Sequence, residues 1–90
     1  MFLSGKIISG EFDGNANEFS IQKIKHLTTQ TTINEKQLER LYHYLKNHQK
    51  DTEDHVITLY DQLPIRLSQE EMNLLVDDLE KVQEMYLDTF

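Results

Sequence analysis

The sequence predicts a small α+β protein, a mainly antiparallel sheet with two amphipathic helices on one face, in the order β-β-β-α-β-β-α. Three observations carry that expectation. Stretches after Asn34 and after Ser68 repeat apolar residues at helical spacing behind a capping residue. Turn-forming clusters at Asp13 to Asn17 and around Pro64 separate short β-prone runs. Finally, 90 residues with 38% hydrophobic and 28% charged content suit one compact core, so the chain reads as a single domain over 1–90.

The first strand is expected from Phe2 to Phe12, with Gly5 and Gly10 marking bulges or strand ends. Asp13-Gly14-Asn15-Ala16-Asn17 then turns the chain back toward Phe19, giving a hairpin. From Phe19 to Ile33 the pattern is less regular. Phe19, Ile21 and Ile24 do not alternate strictly, so one strand there requires a bulge, and a short helix after Asn17 competes. Thr28, Thr29, Thr31 and Thr32 favour extended backbone in the later part.

Asn34 caps the first helix, whose stripe is Leu38, Leu41, Tyr42 and Leu45; Glu35 and Glu39 lie early and Lys46 late, as the helix dipole prefers. The polar run from Asn47 to Asp54 is a loop. His55 to Tyr60 and Ile65 to Leu67 form a second hairpin across Asp61-Gln62, with Pro64 at a strand start or edge, where its missing N–H matters least. Ser68 and Glu71 make a capping-box pair, and Met72, Leu75, Leu79, Val82 and Tyr86 follow on one side of the second helix. Superposing the caps Asn34 and Ser68 pairs Leu38 with Met72, Leu41 with Leu75 and Leu45 with Leu79, a weak ββα repeat that duplication or shared helical periodicity explains.

Charge is lopsided. Residues 1–50 carry seven Lys/Arg against five acids, and residues 51–90 carry two against eleven, for a net charge of −7. Such a chain is poorly matched to a polyphosphate, whose binding depends on neutralising phosphates. Lys23 and Lys25 would share a strand face and Lys46 and Lys50 flank His48, but no aromatic pair sits among them to stack bases, so nucleic acid is not an expected ligand. The composition favours a basic protein partner, or contact between basic and acidic parts of two copies in a homodimer.

Catalytic chemistry finds no footing. Cysteine is absent, which rules out a disulfide framework or thiolate site and fits a reducing, cytoplasmic setting. None of the glycines belongs to a phosphate loop, and no serine has a nucleophile-elbow context. His43 and His48 are five apart and fall on different helix faces; Glu39 and His43, four apart, could share a cation but equally suit an exposed helical pair. No enzyme activity, cofactor or metal site is therefore expected, and apolar runs are too short to cross a membrane.

The remaining candidate is the outward side of the second helix. At about 100° per residue, Glu70, Asp77, Glu80, Glu84 and Asp88 fall in one arc away from the apolar stripe. Leu74 and Met85 fall beside it, three turns apart. The expectation is a partner-binding surface of Leu74, Asp77, Glu84, Met85 and Asp88, apolar anchors in an acidic rim; the competing readings are that Leu74 and Met85 are incidental surface residues or are buried against the N-terminal strand. The function expected is a small acidic interaction module, a regulator or inhibitor offering this helix to a basic partner. The alternatives are a self-assembling homo-oligomer and an accessory to nucleic-acid or metal chemistry.

Overall fold

The computed structural model describes residues 1–50, 53–59 and 64–87 and shows β1(Phe2–Ser4), β2(Ile8–Asp13), β3(Glu18–Ile24), β4(Leu27–Ile33), α1(Glu35–Asn47), β5(His55–Thr58), β6(Pro64–Leu67) and α2(Gln69–Leu87). The α+β class stands, with two differences of detail. Four strands precede the first helix, and the strands divide into an antiparallel meander β1-β2-β3-β4 and a separate β5-β6 ribbon.

The extra strand arises because the run from Phe2 to Phe12 is broken at Gly5 to Ile7. There the Gly5 N–H closes a turn on the Ile8 carbonyl at 2.8 Å, while the next three N–H groups leave the ladder for a side chain of α2, described below. Gly10 sits at a bulge in the β2–β3 pairing, where any Cβ would run into the Ser20 carbonyl oxygen and lie 2.9 Å from the Phe19 ring. The Asp13 to Asn17 turn forms as expected. Asp13 Oδ1 accepts from the Asn15 and Ala16 N–H groups, and Asn17 takes the left-handed φ of 56°.

Residues 18–33 form a hairpin with a bulge between Ile21 and Lys23, and the competing short helix is absent. Its turn is made by Lys25, at φ 57°, and His26. Lys25 therefore leaves the strand face it was expected to share with Lys23. The ribbon pairs Thr58 with Pro64, which puts proline at the strand start. The expected Asp61-Gln62 turn and Tyr60 lie outside the described residues.

Both helices start with a reciprocal capping box. Asn34 accepts from the Gln37 N–H and donates its own N–H to Gln37 Oε1. Ser68 Oγ accepts from the Glu71 N–H, and the Ser68 N–H donates to Glu71 Oε1 at 2.9 Å. Each box satisfies donors that the first helical turn leaves over. The halves β3-β4-α1 and β5-β6-α2 thus share element order and capping chemistry.

The core joins Ile8, Phe12, Phe19, Ile21, Ile24 and Ile33 on one sheet face to Ile57, Ile65 and Leu67 of the ribbon and to Leu38 and Leu45 of α1. All five stripe residues of α2 are buried among them. Leu41 and Tyr42, expected in the α1 stripe, are half-buried at its margin. Each such apolar side chain contributes about 1.5–3 kcal/mol on leaving water. The opposite face of the meander is polar, with Ser20, Gln22, Thr28, Gln30 and Thr32 bordering a shallow open cleft.

Candidate functional site

Helix α2 carries the predicted surface, and its orientation is set by a residue the sequence reading passed over. Asp78 is fully buried, and its carboxylate accepts three backbone N–H groups, from Lys6 at 2.9 Å, Ile7 at 2.7 Å and Ile8 at 3.0 Å. Charge-assisted bonds to successive amides are the means by which a buried carboxylate is made tolerable. Gly5 makes room for it: a Cβ there would lie 2.6 Å from the carboxylate.

Leu74 lies one turn before Asp78 and Met85 two turns after it, on the side of the helix facing the β1–β2 turn. Met85 is accordingly buried, at 8% exposure, and Leu74 is half-buried. The expectation that both stand free in the isolated chain is corrected for Met85, while Leu74 keeps part of its surface: the buried arc of α2 covers about half its circumference, wider than the stripe of five residues implies. Asp77 and Glu84 are exposed as expected, and Asp88 lies outside the described residues.

What remains outward on α2 is a line of carboxylates, Glu70, Asp77, Glu80 and Glu84. Asp77 pairs with Lys6 Nζ at 3.1 Å. Glu80 Oε2 accepts the Tyr42 hydroxyl of α1 at 2.7 Å, and that bond holds the hydroxyl's pKa above its ordinary value. Two further bonds fix the helix ends. Near the N-terminus, Glu71 Oε2 meets Lys25 Nζ at 3.1 Å, and the same ammonium donates to the Arg66 carbonyl at 2.9 Å. The Ser68 N–H, and then Lys25, hold the Glu71 carboxyl below its ordinary pKa. Near the C-terminus, the buried Tyr86 hydroxyl donates to the Ile33 carbonyl and accepts from the Phe19 N–H at 3.1 Å. Burial pushes its pKa up to about 12. Its ring meets Phe12 edge-on at 4.9 Å.

A second surface lies on α1 and β5. Arg40, Leu41 and Tyr44 form one wall of a cleft of about 360 Å³, and the consecutive residues Val56 to Leu59 form the other. Tyr44 and Val56 are exposed, at 39% and 56%, although both are large and apolar. Tyr44 also packs on His48, with ring centroids 4.5 Å apart, and His48 on His55 at 4.9 Å. Glu39 and His43 border an adjoining shallow cleft with Lys36 and Arg40. Among the described residues no three metal-ligating side chains come together, and no helix is long and apolar enough to cross a membrane. The chain matches no family model, no curated protein and no solved structure.

Proposed function

We propose that this chain is a protein-interaction module, with no enzymatic role, that presents the carboxylate line of α2 to a basic partner as a regulator or inhibitor. The observation that carries this reading is the fixing of one helix at three levels, by Lys25 on Glu71, by Asp78 on the β1–β2 turn and by Tyr86 on β3 and β4. A line of charges on a rigid element binds without the ordering cost a flexible segment incurs. The recognition is electrostatic, since of the two apolar anchors envisaged Met85 is buried and Leu74 is half-buried. Glu70 and Glu84 form no ion pair among the described residues and are the residues to reverse. For a basic protein captured by the wild-type chain, Glu70→Lys with Glu84→Lys should weaken binding at least about tenfold and flatten its salt dependence. Unchanged affinity and salt response would remove the proposal.

One observation favours self-association as a second reading. The outer edge of β1 is unpaired among the described residues and carries Phe2 at 59% exposure. Of the other large apolar residues in the N-terminal segment, Leu3 and Ile7 are half-buried and Ile8 belongs to the core. Sedimentation of the protein and of Phe2→Lys decides it; a monomer throughout the tens-of-micromolar range ends this reading.

A further inference from the structure

We propose that the cleft between α1 and β5 binds an extended acidic peptide, which adds as a strand to the free edge of β5 and seats an apolar side chain between Tyr44 and Val56. This surface is distinct from the carboxylate line of α2 and attracts the opposite charge.

Successive side chains of a strand point to opposite faces, so a groove bordered by three consecutive strand residues, Val56 to Thr58, and by Leu59 just after them runs along a strand edge. β6 occupies the other edge of β5, and no further strand pairs with β5 among the described residues. An unpaired strand edge presents main-chain donors and acceptors, the feature that strand addition uses for affinity. Tyr44 and Val56 supply the apolar contact, one from each wall. They are two of four large apolar residues exposed among the described residues, and these two meet at one place.

Charge selects the occupant. Arg40 borders the groove, and Lys36 and Arg40 together border the adjoining cleft, where Glu39 is the only carboxylate among the described residues. Neither cation enters an ion pair among the described residues. A guanidinium beside a strand groove suits a carboxylate two residues from the buried apolar side chain, since alternate side chains of an added strand share a face.

The probe is a blocked hexapeptide of alternating valine and glutamate, titrated into the full chain while backbone amide shifts are followed. A lysine–valine peptide and a copy N-methylated at alternate residues serve as comparisons. The expected result is a shift of amides in 55–59 and around Arg40 and Tyr44, with affinity at least about tenfold weaker for each comparison peptide. Val56→Lys, at an exposed position, should leave the rest of the spectrum unchanged and abolish these shifts; Arg40→Glu should weaken binding of the acidic peptide and not of the lysine peptide. No shifts at millimolar peptide, shifts confined to β1 or the polar sheet face, or equal binding of the lysine or methylated peptide would each overturn the proposal. So would movement of the same amides on simple dilution, which would show a second copy in the groove.

Discussion

The four-stranded meander is locked to α2 by buried polar bonds, whereas the β5–β6 ribbon rests on the same helix through apolar side chains and one partly exposed lysine. In the meander, Asp78 and Tyr86 bond backbone groups of β2, β3, β4 and the β1–β2 turn. In the ribbon, Ile57, Ile65 and Leu67 enter the core, and Lys25 on the Arg66 carbonyl and Glu71 is the polar tie. Apolar burial is non-directional and sets how strongly surfaces adhere. A buried carboxylate with three amides admits one arrangement and penalises every other. The comparison teaches that the geometry of α2 is dictated from the meander side, leaving the ribbon side the freer of the two.

The most severe way to break that difference is Asp78→Ala. It leaves the buried Ile8 N–H and the part-buried Lys6 and Ile7 N–H groups without their acceptor, at about 1–3 kcal/mol each, so a loss above about 3 kcal/mol is expected in urea titration. Gly5→Ala should act in the same direction by displacing the carboxylate. Next comes Leu79→Ala, buried and common to both regions, at about 2–5 kcal/mol. Tyr86→Phe, which keeps the ring and removes the hydroxyl, should cost about 1–3 kcal/mol.

The tyrosine also gives the comparison a pH signature. With its folded pKa raised to about 12, the unfolded chain loses this proton first as pH rises. Wild-type stability conferred by the hydroxyl is therefore complete below about pH 10 and disappears through pH 12, so melting of Tyr86→Phe should depend less steeply on alkaline pH. Glu71 runs the other way: its lowered pKa means that its contribution is present above the ordinary carboxyl range and lost as pH falls below it. Lys25→Ala, which cuts the ribbon's tie, should cost up to about 1 kcal/mol and raise amide hydrogen exchange in β5 and β6 more than in β2 and β3. Glu84→Ala, on the open face, should change stability by less than about 0.5 kcal/mol.

Much of this fold was legible because local chemistry and global position agree. The Ser68–Glu71 capping box, the five-residue stripe of α2, the Asp13 to Asn17 turn and Pro64 at a strand start all act within a few residues of themselves. The features that escaped are those that depend on a distant part of the chain. An aspartate in mid-helix ordinarily reads as solvated, and nothing near Asp78 announces that the N–H groups of residues 6–8 will reach it. That omission also misplaced Met85, which shares its side of the helix. Lys25 escaped for a different reason: a left-handed turn residue is expected to be glycine or asparagine, and lysine gives no such signal. At the α1–β5 cleft, Tyr44 and Val56 lie twelve residues apart in sequence and become neighbours only when β5 is laid beside α1.

The Asp78 bonds have a further meaning for how the chain reaches this state. They join groups 70 to 72 residues apart, and Tyr86 reaches 67 residues back to Phe19. Contacts of that span raise contact order and slow the search for the native topology. During synthesis the meander is complete well before α2 emerges, so Ile8, Phe19, Ile21 and Ile33 wait without the element that covers them. The nascent sheet is then the aggregation-prone species, and its protection depends on how soon α2 arrives.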